Sequence, residues 1–332
     1  MLDERSIRVL ELWSAAGAPQ GDAAEAPAPR SFAAGWSFGE PDLVLTMSEA
    51  AVIPAEGRDR FLVFALPTGL AEDRWLRAME FRPGNPRVVH HVLFYSDATG
   101  QARALDESTG EPGYETFGSV GFRPVTNLGG WVPGNPPYEL PPGVARRLTK
   151  ASDFLFWLHY HSDGKEERDR SSIALWFARG PVRFQARMSA IWTERFLIPP
   201  GDPDFRIHVE DVLERDITLL GAIPHMHYLG QELQVVAFLP GGERVPIVRV
   251  PRWDFRWQQW YRFRTPQELP RGTKLVLDAR FDNSAANPLN PQSPPGAVVS
   301  GEQTTDEMCK CFLEVLVPVP AAAGSGEADD GG

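Results

Sequence analysis

The chain has 332 residues, of which 42% are hydrophobic and 11% aromatic, which is enough for about two domains with well-filled cores. Its formal net charge of -11 argues against nucleic acid or an anionic membrane surface as a partner, because both require basic patches. No apolar run approaches the roughly 18 residues of a membrane-spanning helix, so none is predicted.

The first 35 residues predict a short helix followed by a linker. Asp3 can cap a helix over residues 3–16 and Gly17 can end it. The apolar stripe of this helix consists of Ile7, Leu10 and Trp13. The stretch that follows is rich in Ala, Pro and Gly, which is typical of a linker. The charged first residues lack the apolar stretch of a secretory signal.

From Trp36 onward the pattern changes to strands. Short runs of branched and aromatic residues alternate with Gly, Pro and Asn turns, and helical periodicity is almost absent. The predicted strands are Arg60–Pro67, Arg74–Phe81, Val88–Ser96, Phe154–Ser162, Ser172–Ala178, Phe184–Thr193, Ile217–Pro224, Gln231–Phe238, Val245–Val250, Trp253–Phe263, Lys274–Asp282 and Met308–Val317.

These runs fall into two series, separated by Arg179-Gly180-Pro181. We therefore predict an all-β fold of two β-sandwich domains in tandem, over residues 36–182 and 183–320, with at most a peripheral helix. Residues 321–332 are small, acidic and glycine-rich, which predicts a disordered tail.

The seven histidines are distributed unevenly along the chain. Six of them lie in three tight groups, and only His208 stands alone. The groups are His90-His91, His159-Tyr160-His161 and His225-Met226-His227. Imidazole is the commonest metal ligand, so this clustering predicts metal binding, with two centres favoured over one.

The third histidine group has a sulfur candidate some eighty positions later. On an extended strand His225 and His227 would share one face, and Met308 offers a thioether. Soft sulfur selects copper(I) over calcium, magnesium or manganese. An isolated His-x-His would more often be a half-buried strand pair or a zinc site.

The first two groups have different geometric requirements. His90 and His91 are adjacent, so a regular strand would point them to opposite faces, and a shared metal would need a bulge or a strand end. His159 ends an apolar run, where a sandwich presents its sites. Cys309 and Cys311 are too close for a good disulfide and are interpreted as small residues on the strand face opposite Met308.

Four segments together carry a resemblance to a known family: Val89-His90-His91-Val92, Leu158-His159-Tyr160-His161, Pro224-His225-Met226-His227-Tyr228-Leu229-Gly230 and Asp306-Glu307-Met308-Cys309. In this order and with these gaps, the chain resembles the copper type II, ascorbate-dependent monooxygenases, which include peptidylglycine α-hydroxylating monooxygenase and dopamine β-monooxygenase. The resemblance spans roughly Trp36–Val317 and is nearest to bacterial members, which share segments like Trp253–Gln258 and Asp282–Pro288.

The resemblance implies a role for each histidine group. It implies that His90, His91 and His159 hold an electron-transfer copper, and that His225, His227 and Met308 hold the copper that binds O2. It implies that His161 lies beside the first copper site without binding the metal, and that His208 has a structural role. The implied fold is two jelly-roll-like antiparallel sandwiches, each with one copper, facing across a solvent-filled cleft.

The implied reaction is hydroxylation of a C–H bond of a small organic substrate. One oxygen atom of O2 enters the substrate, the other leaves as water, and a reductant such as ascorbate supplies two electrons. The resemblance further implies an extracytoplasmic protein, and we expect a monomer. The helix around Ile7–Asp22 resembles the end of a c-type cytochrome domain, which makes such a cytochrome a second candidate donor.

The chain departs from the peptide-amidating members at their substrate anchors. The positions of their Arg, Asn and Tyr are occupied here by Ile223, Lys310 and Phe312. The fork-like recognition of a carboxylate by Arg is therefore lost, and a peptide ending in glycine is not the expected substrate.

Two other functions are compatible with the sequence. The chain could be a copper-binding or electron-transfer protein without substrate turnover, although two dissimilar sites are more than a copper store needs. It could also be a zinc hydrolase, with Glu307 as the acid nearest to a ligand. As the strand neighbour of Met308, however, Glu307 should face away from it.

Overall fold

The computed structural model describes residues 2–28, 35–123 and 125–320. Residues 1–37 form one compact unit, and the chain from Phe38 onward forms a second. The predicted tail at 321–332 lies outside the described residues.

The N-terminal unit contains the predicted helix. Helix α1 covers Glu4–Ala15, and its N-cap Asp3 accepts a hydrogen bond from the backbone N–H of Ser6 at 2.7 Å. Gly17 follows with φ +83°, a conformation that glycine adopts freely. A short 3-10 turn covers Ala23–Glu25. Across the described parts of the chain, the helices are too short or too polar to span a membrane.

The second unit is built from strands, so the all-β prediction is confirmed. Its first elements are β1 (Leu43–Thr46), β2 (Ala51–Ile53), β3 (Arg60–Pro67), β4 (Arg74–Arg82), β5 (Val89–Asp97), helix α2 (Gln101–Thr109), β6 (Tyr114–Glu115), β7 (Thr126–Trp131), β8 (Tyr138–Glu139), β9 (Val144–Leu148), β10 (Asp153–Tyr160), β11 (Glu167–Asp169) and β12 (Ser172–Phe177).

The later elements are β13 (Phe184–Thr193), β14 (Leu197–Ile198), β15 (Phe205–Val212), β16 (Ile217–His225), β17 (Gly230–Phe238), β18 (Arg244–Val250), β19 (Tyr261–Leu269), β20 (Lys274–Phe281), β21 (Val298–Val299) and β22 (Cys309–Pro318).

One long sheet runs through the whole body, in the strand order β1-β12-β4-β9-β13-β22-β16-β19. Its first half faces the five-stranded sheet β6-β3-β10-β5-β7, and Phe81, Phe154 and Leu175 are among the residues of the core between them. Its second half faces the sheet β15-β20-β17-β18, and Leu233 and Phe281 belong to that core. The second unit therefore consists of two β-sandwiches, which lie side by side and share the long sheet.

The joint between the two sandwiches is a short parallel ladder between β9 and β13. Phe184 pairs with Val144, and Gln185 pairs with Ala145. A buried ion pair crosses the same joint, between Arg146 of β9 and Glu314 of β22. The division of the body into domains at 36–182 and 183–320 remains a prediction.

Several sequence predictions need correction, and the strands β1, β2, β7 and β9 were not predicted. The strand predicted over Trp253–Phe263 begins only at Tyr261, and residues 253–260 form a loop. Helix α2 was missed because only Ala102 of its residues is buried, so it carries no apolar stripe. Strand β15 was missed because Ile207 is its only buried residue and most of its other side chains are polar.

Candidate functional site

A bulge brings the first histidine group together. In the pairing of β10 with β5, His159 lies opposite His91 and Tyr160 lies opposite Val89, so His90 is an extra residue without a partner. The bulge that two adjacent ligands would require is therefore present at the start of β5.

The Nδ1 atoms of His90, His91 and His159 converge on one point. Nδ1 of His90 lies 3.0 Å from that of His91 and 3.2 Å from that of His159, and the third separation is 3.3 Å. Nitrogens bound tetrahedrally to one metal at about 2.0 Å would lie about 3.3 Å apart. The three nitrogens are thus spaced as ligands of a single ion.

Asp59 orients His159 from the other side of its ring. Nε2 of His159 lies 2.8 Å from one oxygen of Asp59, so this nitrogen donates its hydrogen and leaves a lone pair on Nδ1. The second oxygen of Asp59 lies 2.7 Å from Nδ1 of His161, whose side chain is 66% exposed. The side chain of His161 is therefore linked to the cluster through Asp59.

The second histidine pair lies where β16 ends. His225 is the last residue of that strand, and its ring is perpendicular to that of His227 with centroids 5.3 Å apart. Met226 between them points the other way and is fully buried in the core. His225 and His227 line one cavity together with Met308.

Hydrogen bonds orient both rings of this pair. Nδ1 of His225 donates to Oε1 of Gln258 at 2.7 Å, and Nδ1 of His227 donates to the backbone oxygen of Asp306 at 3.1 Å. The lone pair of each ring is then on Nε2, the nitrogen left for a ligand. Sequence reasoning did not single out Asp59 or Gln258, and only the resemblance of Trp253–Gln258 pointed to the latter.

Hydrogen bonds to Glu307 connect the segment that follows β16 to the start of β22. The carboxylate of Glu307 accepts backbone N–H groups from His227 at 2.8 Å, Leu229 at 2.6 Å and Met308 at 3.0 Å. Burial raises the pKa of Glu307 to about 8, although these hydrogen bonds favour its charged form. The side chain is fully buried and faces away from the cavity, as predicted from its place beside Met308.

Burial also lowers the pKa of His90, His225 and His227, which favours their neutral form. It lowers the pKa of His90 to about 4, with His159 adding to the effect, and that of His225 to about 3, with His227 adding to it. Burial likewise lowers the pKa of His227 to about 4. A metal ligand must be deprotonated, so these imidazoles are available for binding at neutral pH.

The cavity is shared by both histidine groups. His91 and His159 line it from the first sandwich, and His225, His227 and Met308 line it from the second. Much of the remaining wall is aromatic and includes Phe61, Trp131, Trp157, Phe255, Trp260 and Phe312. The cavity thus joins two donor sets in one largely apolar space.

The phenyl ring of Phe255 lies in the gap between the two histidine groups, where the resemblance implied a solvent-filled cleft. Phe255 stacks on His90 with centroids 5.4 Å apart and contacts His227 edge-on at 5.7 Å. It is only 6% exposed. The two histidine groups are therefore in contact through one side chain.

Residues 187–320 match the family model of the copper type II ascorbate-dependent monooxygenase C-terminal domain. The match covers the C-terminal part of the chain, which is therefore similar to this family. The matched range contains His225, His227 and Met308, and the first histidine group lies before it.

A human protein named "Putative DBH-like monooxygenase protein 2" is similar to this chain. It is 22% identical over 251 residues, which cover 69% of this chain and 47% of the relative. This chain therefore spans about half of the relative's length.

Solved structures give weaker matches. The major capsid protein P2 of bacteriophage PM2 covers 83% of this chain and 97% of its own length, at 9% identity and a TM-score of 0.33. PNGF-II covers 82% of this chain and 60% of its own length, at 9% identity and a TM-score of 0.26. Likeness at these scores carries no argument about function.

The donor sets suit the metal expected for a copper type II monooxygenase. Three imidazoles form a set of nitrogens only, whereas two imidazoles and a thioether form a softer set. His208 belongs to neither, because it is exposed on β15 and pairs with Asp278 at 2.7 Å and Glu210 at 3.3 Å.

Proposed function

We propose that this chain is a two-copper monooxygenase, which hydroxylates a C–H bond of a small organic substrate with O2 and an external reductant. The observation that carries the proposal is the presence of two unlike donor sets on one cavity. A single electron-transfer centre or a copper store would need only one of them.

Each set has its own role in this proposal. His90, His91 and His159 hold the electron-transfer copper, while His225, His227 and Met308 hold the copper that meets O2. When bound, copper supplies one-electron chemistry and the activation of O2. The protein orients the imidazoles of His159, His225 and His227 through Asp59, Gln258 and the backbone of Asp306.

The cavity wall favours a small, largely apolar substrate. Ile223, Lys310 and Phe312 all line it, so the positions that differ from the peptide-amidating members lie next to the proposed reaction site. The ammonium of Lys310 lies 4.9 Å from the ring centre of Trp192 and 5.4 Å from that of Phe312. None of these side chains offers a guanidinium fork to a carboxylate.

The remaining features of the proposal follow the family. The reductant is ascorbate or a c-type cytochrome, the protein acts outside the cytoplasm, in the periplasm or cell envelope, and it is a monomer. Each sandwich, over residues 36–182 and 183–320, forms one copper-binding domain.

Oxygen uptake tests the proposal directly. Copper-loaded protein with ascorbate would be screened against small aromatic and aliphatic compounds, with the His227→Ala variant as a matched control. We expect at least one compound to raise oxygen uptake in the wild type alone and to yield a hydroxylated product. Copper binding without substrate-dependent uptake across the screen would instead favour the electron-transfer protein.

A further inference from the structure

Phe255 occupies a position that the proposed function does not explain. It belongs to the loop of residues 253–260, between β18 and β19 of the second sandwich. Its ring reaches across to His90 of the first sandwich, stacking with only 19° between the ring planes. Its other neighbours are His227 and Tyr228.

The loop is fastened on both sides of Phe255. The backbone N–H of Trp253 donates to the oxygen of Gln231, and its indole N–H donates to the oxygen of His227, at 2.9 and 3.0 Å. The amide of Gln258 donates to the oxygen of Phe255 at 3.0 Å while its Oε1 holds His225. The loop is therefore fixed to the second histidine pair, through the side chain of Gln258 and through the backbone oxygen of His227.

Ring contacts continue from Phe255 to the protein surface. His90 contacts His159 at 4.7 Å, and His159 stacks on Phe61 at 4.3 Å. Phe61 contacts Phe117, which is 53% exposed, at 5.2 Å. An unbroken series of packed rings thus leads from solvent to the first histidine group and through Phe255 to His227.

We propose that Phe255 is a positioning residue that closes the gap between the two histidine groups, so that electrons cross between them through packed side chains instead of bulk water. The inference rests on the proposed two-copper function. With copper bound, His90, His91 and His159 would hold the ion that gives up one electron, and His225, His227 and Met308 would hold the ion that receives it. Ascorbate or a reduced cytochrome then replaces that electron, and no bond forms or breaks.

Closure of the gap is testable without metal. In metal-free protein, modification of single histidines by diethyl pyrocarbonate would be followed by mass spectrometry. The Phe255→Ala variant should show faster modification of His90 and His227 than the wild type, whereas exposed His161 should be unchanged. Trp257→Leu removes an exposed ring from the same loop and should match the wild type.

Electron transfer is tested with copper bound and O2 absent. After mixing with ascorbate, freeze-quench EPR would follow the Cu(II) signal of each centre. We expect both wild-type signals to fall in one phase, and the second centre of Phe255→Ala to lag by about tenfold. If the alanine variant does not fold, Phe255→Val also lacks the ring, and its effects should have the same direction.

Wild-type rates in both experiments for the Phe255 variants would overturn the inference. A copper count below two in the wild type would instead defeat the proposed function. The modification rates of the metal-free protein would still decide whether Phe255 closes the gap, so the two failures are distinguishable.

Discussion

Oδ2 of Asp59 lies 2.8 Å from Nε2 of His159, so the carboxylate holds the imidazole with its Nδ1 toward His90 and His91. Replacing Asp59 by Ala frees that ring to rotate and to change tautomer. We expect the copper affinity of the first centre to fall by about 10- to 100-fold, with the second centre unaffected. Titration against a competing chelator measures both affinities.

His161→Gln is the matched control for that experiment. His161 contacts Asp59 but is largely exposed, so its loss should leave the copper affinity near the wild-type value. An Asp59→Ala variant with unchanged affinity would show that the carboxylate does not set the orientation of His159.

Glu307 should matter for stability as well as for the second centre. Glu307→Ala leaves the buried N–H groups of His227, Leu229 and Met308 without an acceptor. We expect the free energy of unfolding to fall by about 3 kcal/mol or more, since each unsatisfied buried group costs about 1–3 kcal/mol. Urea denaturation measures the change.

Glu307→Gln should not restore the lost stability, because its NH2 group would face backbone N–H donors. Replacement of Glu210, a half-exposed surface carboxylate, by Ala provides the control and should change stability by less than about 1 kcal/mol. Wild-type stability of the Glu307→Ala variant would contradict the structural role assigned to this residue.

The orientations of the proposed ligands show how much of the site the sequence could predict. The i, i+2 spacing of His225 and His227, and the opposite facing of Met308 and Cys309, follow from the period of two along extended backbone. The bulge at His90 was foreseeable for the same reason, since two adjacent side chains share a face only if the pleat is interrupted.

Other features depended on contacts between distant segments. Asp59 meets His159 only because β3 pairs with β10, and a single sequence does not reveal that register. Residues 253–260 look like a strand by composition, but Trp253, Phe255 and Gln258 are held by contacts with histidines from two sandwiches. Local pattern carries no information about such partners.

Met308 should control the oxidation state preferred by the second centre. Met308→His replaces a soft thioether by a borderline nitrogen, which favours copper(II) over copper(I). We expect bound copper to persist while substrate-dependent oxygen uptake collapses. Uptake close to the wild-type rate would indicate that Met308 is only a packing residue.

The pH at which copper is released should reflect the lowered pKa of the buried histidines. Protons compete with copper for the same nitrogens, so copper is retained above the pKa of the folded imidazoles and lost as the pH falls through it. Burial lowers that pKa from 6.5 to about 4 for His90 and His227. Copper per chain after dialysis should stay constant at pH 5.5, and half-release near pH 6.5 would contradict the assigned environment.

The copper content of purified variants tests the central claim most directly. We expect about two coppers per chain in the wild type and about one in each of His159→Ala and His227→Ala, because the two donor sets share no residue. EPR should show that each variant has lost a different centre. One copper per chain in the wild type, stoichiometric zinc from copper-replete expression, or loss of both coppers in folded single variants would contradict the account.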